Sequence, residues 1–264
     1  MATFSRGSKS QVDQTRFRLA LANFWGVPLG SKVLEVGCGQ GDMTAVLAHL
    51  VGSSGLVVAT DRADPSYGAP VTLGDSASHL LQSPLGSRIE FHFNFDLLTE
   101  ALSKGPFDGA VMALCSWYFA SIDELMATLV RIRSLTNRLY FAEWDMLPSS
   151  NDQLAHLLAV LIQGHVGALR DTTANIRTPL ARSTFLSVLE EAGWKVVKEA
   201  PVSTSEMLDA RWEIEECLCM DVRSFGLPPK HQEFVQTQID LLKQVASANE
   251  SRSLNAFAVV AEPV

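Results

Sequence analysis

The stretch VLEVGCGQGD, Val33 to Asp42, constrains the fold of this chain more than any other. Val33, Leu34, Glu35 and Val36 have the character of a buried parallel strand that stops at glycine. Gly37, Gly39 and Gly41 alternate through a turn, and Met43 to Val51 then has the spacing of a helix. Strand, glycine turn and helix form the first unit of a nucleotide-binding α/β domain, in which a bare backbone lets a ligand approach the helix N-terminus. The dinucleotide fingerprint wants glycine at its first, third and sixth positions, but the sixth here is Asp42. Glu35 adds an acid two residues before the first glycine. Two carboxylates are poor company for a pyrophosphate. They suit a ligand that carries positive charge and hydroxyls.

The surrounding chain repeats that unit. Upstream, Gln11 to Trp25 places Phe17, Leu21, Phe24 and Trp25 at helical spacing, so one helix face should lie on the domain. Downstream, Leu56 to Asp61 reads as a second strand that ends on an acid, a place suited to both ribose hydroxyls of an adenosine. Arg62 to Thr72 reads as an ordered loop, Gly74 to Gln82 as a helix, and Ile89 to Phe93 as a third strand running into Asn94-Phe95-Asp96. Phe107 to Leu114 is the fourth strand, and Ser121 with Glu124 forms a capping box for a helix over Ile122 to Arg133. Arg138 to Trp144 is the fifth. Such alternation argues for an α/β fold whose parallel sheet is covered on both faces, with ligands outside the carboxyl ends of the strands.

Beyond Pro148 the rhythm changes. Gln153 to Leu169 is a long helical pattern, Arg170 to Arg177 a polar link, Ser183 to Ala192 a helix, and Trp194 to Ala200 a sixth strand. A seventh, AFAVVAEPV, follows more than fifty residues later. Two strands that merely pair need only a hairpin, so the helical stretches Glu206 to Phe225 and Pro229 to Val245 need another purpose. We read residues 148–182 and 201–252 as helical insertions that cap the sheet edge of a single domain, 1–264, and as candidate surfaces for a homodimer.

Composition narrows the partners. The net charge is −8 with no clustered run of Lys or Arg, which argues against nucleic acid and an anionic membrane. The N-terminal residues lack the apolar core of a signal peptide, and the apolar run from Leu154 to Ile162 is too short to span a bilayer. Cys38, Cys115, Cys217 and Cys219 show no zinc-ligand spacing. The expectation is a cytoplasmic protein without a metal.

Glu35 before G-x-G-x-G, Asp61 at the end of the second strand, the acid at Asp96 and the strand FDGAVMAL together resemble the class I S-adenosylmethionine-dependent methyltransferases, over roughly residues 10 to 200 and the terminal strand. The resemblance implies a Rossmann-like, seven-stranded, mostly parallel sheet with helices on both faces and a helical cap. It also implies S-adenosyl-L-methionine as cofactor. Glu35 would orient the loop or the methionine amino group, and Gly37, Cys38, Gly39 and Gly41 would pass under the methionine part. Asp61 would take the ribose hydroxyls, with Arg62 beside the adenine. Asp96 with the Phe95 backbone, or Asn94 in its place, would read the adenine amino edge. Ala113 and Leu114 would lie near the methionine moiety.

Methyl transfer from a sulfonium is an in-line displacement of an activated donor, so proximity and water exclusion carry most of the chemistry. A base is needed only for a protonated acceptor. Candidates for catalysis are Tyr118, Glu143 and His156; candidates for binding a small-molecule acceptor are Trp117, Tyr118, Trp144 and Trp212. Each has a plainer alternative: aromatic packing, a solvated loop acid for Glu143, a surface or satisfied core histidine for His156, a helix-packing Trp212. Three rivals remain: a non-methylating cyclase of the same fold, a nicotinamide-dependent oxidoreductase, and a non-enzymatic scaffold that keeps the fold only for partner contacts, against which the intact loop with both acids argues. The Asp42 and Glu35 carboxylates speak against the second.

Overall fold

A computed structural model describes residues 9–170, 174–204, 206–248 and 250–264. Its strands are β1 (Lys32–Val36), β2 (Leu56–Thr60), β3 (Ile89–His92), β4 (Gly109–Ala113), β5 (Leu139–Trp144), β6 (Trp194–Val202) and β7 (Ala256–Pro263). Its α-helices are α1 (Lys9–Trp25), α2 (Asp42–Val51), α3 (Leu73–Leu81), α4 (Ile122–Arg133), α5 (Leu154–Leu169), α6 (Arg182–Glu191), α7 (Asp209–Leu218) and α8 (Pro229–Ala248). The strands form one sheet in the order β3-β2-β1-β4-β5-β7-β6. β3 through β5 run parallel, and β7 inserts antiparallel between β5 and β6. The resulting architecture is the Rossmann-like sheet expected.

Alternation along the strands builds two cores. Val33, Val57 and Val111 face one side, where Phe17, Leu21 and Trp25 of α1 and Leu47 and Val51 of α2 cover them. Leu34, Val58, Ala110, Met112 and Phe141 face the other, beneath Leu125, Leu129 and Ile132 of α4 and Phe185 and Leu189 of α6. Both faces are buried, so these strands read as continuous apolar runs. A third cluster lies apart from the sheet: Ala159 and Ile162 of α5, Ile214 and Cys217 of α7, and Val235, Ile239 and Leu242 of α8. No described helix is long and apolar enough to cross a membrane.

Three details differ from the sequence reading. The helical stretch expected over 206–225 breaks after Leu218, because Asp221 caps a separate short turn, Val222–Phe225, by accepting from the Arg223 N–H. β6 runs on to Val202 through Pro201, which an edge strand tolerates because it need not donate on its open side. In the capping box, Ser121 accepts from the Glu124 N–H as expected, but the Glu124 carboxylate accepts from the Ala120 N–H, one residue further out.

Strand order reverses between β1 and β4, and a sheet of this kind opens its ligand crevice at that point. The loops that leave β1 and β4 there begin at Gly37 and Leu114.

Candidate functional site

The glycine turn after β1 is shaped by its backbone. Gly37 has φ +76°, and a Cβ there would lie 2.7 Å from the Cys115 Cβ, so only glycine fits. Gly39 has φ +52°, and a Cβ there would meet nothing within 4 Å. The turn therefore borders open space at Gly39 while it is tightly packed at Gly37. The N–H groups of Gly37 and Cys38 donate to the Thr60 carbonyl at the end of β2. Gly41 N-caps α2 with φ +84° and no side-chain cap, which leaves the start of that helix open.

Glu35 lies beneath this turn with 2% of its surface exposed. Its Oε2 accepts from the Thr44 hydroxyl at 2.6 Å, tying β1 to α2. Burial raises its pKa from 4.5 to about 8, opposed by the Thr44 bond and by the Arg18 charge. The Cys38 thiol is likewise pushed up by burial and by Glu35. Arg18 of α1 also stands 3.6 Å from Asp42, so α1 brings a cation to a site otherwise rich in acids.

Asp61 is the hinge between the two halves. Its Oδ2 accepts from the Gly39 N–H at 2.8 Å and its Oδ1 from the Ala63 N–H at 2.9 Å. A carboxylate oxygen keeps a further lone pair after one such bond, so two hydroxyls can still be received. Beyond Asp61, Asn94 takes φ +52° and donates through Nδ2 to Asp64. The Phe95 N–H donates to the Asp61 carbonyl, and its ring is buried in the core on the α4 side of the sheet. Asp96 accepts from the Leu98 N–H as a local turn and lies 3.4 Å from Arg62, which also pairs with Glu124. Two expectations need adjusting. The Phe95 backbone donor is already engaged, and Arg62 is drawn toward Asp96 and Glu124 rather than left free beside a base.

Ala113 closes β4, and Leu114 turns the chain with φ +54°, a costly conformation for a branched residue. That turn places Leu114 in the wall of a cavity of about 20 Å³. From the sheet edge Trp117, Tyr118, Glu143 and Trp144 line it; from above come His156 of α5, Ile176, and Asp209 and Glu213 of α7. Hydrogen bonds on either side of Ile176 hold it against the cavity. Arg177 and Thr178 donate backbone bonds to the Trp117 carbonyl, and Asn175 accepts from the Tyr67 hydroxyl at 3.0 Å.

The cavity gathers all three catalytic candidates and three of the four acceptor-binding ones, but their chemistry differs. Glu143 is buried, which corrects the solvated-acid alternative. Its Oε2 accepts from the Ser116 N–H and hydroxyl, its Oε1 from the Trp144 N–H, and burial raises its pKa from 4.5 to about 7. His156 accepts from the Leu254 N–H at Nδ1 and lies edge-on to Trp144, and burial lowers its pKa to about 3. A ring held neutral in this way positions Trp144 and is a poor proton acceptor. Tyr118 keeps part of its ring in solvent, while its hydroxyl is desolvated among Glu213, Glu143 and Asp209, which hold its proton on well above the usual range. Trp212 is half-buried outside the lining. Asp209 and Glu213, four residues apart on one face of α7, occupy the place expected for it. Sequence reasoning missed both, although their i,i+4 spacing was there to be read.

Comparison with known proteins agrees with this geometry. The family model for protein-L-isoaspartate(D-aspartate) O-methyltransferase matches residues 5–67, which include the glycine turn and Asp61. The methyltransferase phomM' of Diaporthe leptostromiformis is 28% identical over 252 residues, covering 78% of this chain and 65% of that protein's length. The chain thus spans less than two thirds of that relative. A crystal structure of a cyclopropane-fatty-acyl-phospholipid synthase-like protein from Lactobacillus casei superposes with a TM-score of 0.90 at 35% identity, covering 99% of this chain and 95% of that one. The Burkholderia thailandensis 1,6-didemethyltoxoflavin-N1-methyltransferase, solved with S-adenosylhomocysteine, shares the fold at TM-score 0.53 and 15% identity, over 96% of this chain and 79% of that one.

The open space beside Gly39, the uncapped start of α2 and the spare lone pairs of Asp61 fit the methionine and ribose parts of S-adenosylmethionine. With the strand order and these relatives, they lead to one conclusion: the chain belongs to the class I S-adenosylmethionine-dependent methyltransferases.

Proposed function

We propose that this protein transfers a methyl group from S-adenosylmethionine to a small organic acceptor seated between the sheet edge and the α5–α7–α8 unit, which acts as its cap. The observation that carries the reading is the cavity at Leu114, where the strand-order reversal meets α5 and α7. In this reading Gly37, Cys38, Gly39 and Gly41 cradle the methionine part, Glu35 holds the turn from below, and Asp61 takes the ribose. Asn94 or Asp96 reads the adenine edge, and Ala113 and Leu114 border the methyl group.

The cofactor supplies an already activated methyl. The residues of this chain align the acceptor and keep water out, an effect worth roughly 7–11 kcal/mol of barrier when alignment is good. Trp117, Tyr118 and Trp144 supply the acceptor walls. Glu143, with a pKa near 7, can take up a proton at neutral pH; Tyr118 acts through its hydroxyl as a hydrogen-bond partner, and His156 by positioning Trp144.

Incubation with methyl-labelled S-adenosylmethionine and a panel of small amines, phenols, thiols and carboxylic acids tests this. Label should appear in at least one small acceptor, and Trp144→Ala should reduce it. Label appearing only in protein or nucleic acid would contradict the reading.

A further inference from the structure

The wall of the Leu114 cavity carries more negative charge than methyl transfer requires. Glu143 enters from β5, and Asp209 and Glu213 from α7. No Lys or Arg is among the described residues that line it, and His156 is neutral. Burial raises the pKa of all three acids, Asp209 to about 6, and the Asp209 charge adds to the rise at Glu213. A like-charged, desolvated cluster is costly unless something positive joins it.

Two orphaned atoms point to a ligand. Asp209 Oδ2 is buried and accepts no hydrogen bond. The Trp117 Nε1–H is buried and donates to nothing, in a residue with only 2% of its surface exposed. One water could answer both atoms, and the Arg18 charge and Gln14 oppose the rise at Asp209 from outside the lining, but no Lys or Arg among the described residues lines the cavity to face Glu143 or Glu213. Nor do these acids form a metal site: among the described residues no three His, Cys, Asp or Glu are grouped to hold an ion. Trp117, Tyr118 and Trp144 line the same space, and aromatic rings together with carboxylates favour an organic cation.

We propose that the acceptor is a cationic amine, held by Asp209 and Glu213 from α7 and Glu143 from β5 against Trp117 and Trp144, and methylated on nitrogen. The proposal rests on the methyl-transfer reading above and names its substrate class. An ammonium has no lone pair, so it must lose a proton before it can attack. The proton passes from the ammonium nitrogen to Asp209 Oδ2. The freed lone pair then forms the bond to the methyl carbon as the carbon–sulfur bond breaks, its electron pair staying on sulfur. A sulfonium and an ammonium thus become a thioether and a methylammonium, with one proton left on the carboxylate. The Trp117 N–H suits an oxygen elsewhere on the acceptor.

Calorimetry on the full chain, saturated with S-adenosylhomocysteine, tests this without turnover. The probes are methylamine and ethylamine, each beside its alcohol (methanol, ethanol) and an anion of similar size (formate, acetate). Amines should bind at least about tenfold tighter than their alcohols, and anions not measurably. Asp209→Asn and, as a second variant, Glu213→Gln should each cut that preference by about tenfold, with S-adenosylhomocysteine affinity kept within about threefold. Alcohols or anions binding as well as amines, no amine binding at all, or an unchanged preference in both variants would overturn the proposal. So would variants that alter only the preference for S-adenosylmethionine over S-adenosylhomocysteine, because the acids would then serve the donor. Failure of S-adenosylhomocysteine itself to bind would instead overturn the cofactor reading.

Discussion

At the scale of single residues, the proposed cofactor half of the site combines backbone shape with two acids in different settings. Asp61 pins the glycine turn through the Gly39 N–H and keeps acceptor capacity for hydroxyls. Asp61→Ala should weaken S-adenosylhomocysteine binding by about 1.5–3 kcal/mol, read by calorimetry. The glycines separate packing from binding. Gly37→Ala drives a Cβ to 2.7 Å from Cys115 and should lower the melting temperature. Gly39→Ala meets no protein atom, so thermal stability should fall only by the strain of positive φ, about 2–4 °C, while cofactor affinity falls at least about tenfold. Glu35 makes a pH prediction. Its folded pKa of about 8 exceeds the ordinary 4.5, so the folded state binds more protons between those values. Stability present below pH 4.5 is lost as pH rises toward 8, and Glu143 and Asp209 add slopes of the same sign. Glu35→Gln should therefore flatten, without abolishing, the fall in melting temperature across that window. An equally steep fall in the variant would contradict the upward shift that burial gives Glu35. The placement of Glu35 and Asp61 against the glycine turn was legible because each sits at a fixed offset from the glycines. The burial of Glu143 was not, because Ser116, which holds it, lies 27 residues away.

Among the elements, strands and helices of the sheet were legible nearly to the residue, since strands buried on both faces are uninterrupted apolar runs and their helices carry one apolar stripe. The α5–α7–α8 unit was less so. Periodicity showed helices but not which face of α7 would meet the sheet edge, and it favoured Trp212 over the acids at 209 and 213. The break after Leu218 depends on one local bond from the Arg223 N–H to Asp221, which periodicity does not register. Because this unit has a core of its own, its loss should be separable from loss of the sheet. Leu242, fully buried in that core, should cost about 2–5 kcal/mol when changed to Ala. Hydrogen exchange should show the loss concentrated in α5, α7 and α8, with β1 and β4 protected as before.

For the molecule as a whole, the order of the strands was not readable from spacing. Seven strands were legible as apolar runs, but only the resemblance to methyltransferases implied that they form one mostly parallel sheet. The structure has β7 between β5 and β6, antiparallel to both, and Glu143 and Trp144 at the end of β5 line the cavity with His156 of α5 and Asp209 and Glu213 of α7. In the proposed reading, a donor site on β1 and β2 and an acceptor cavity on β4, β5 and α7 meet at Leu114. That convergence is the central claim, and the donor half tests it most directly. Titration of the full chain with S-adenosylmethionine, S-adenosylhomocysteine and NAD should give binding of both sulfur ligands, lost or much weakened in Asp61→Ala, and none of NAD. Tight NAD binding with no response to either sulfur ligand would contradict it.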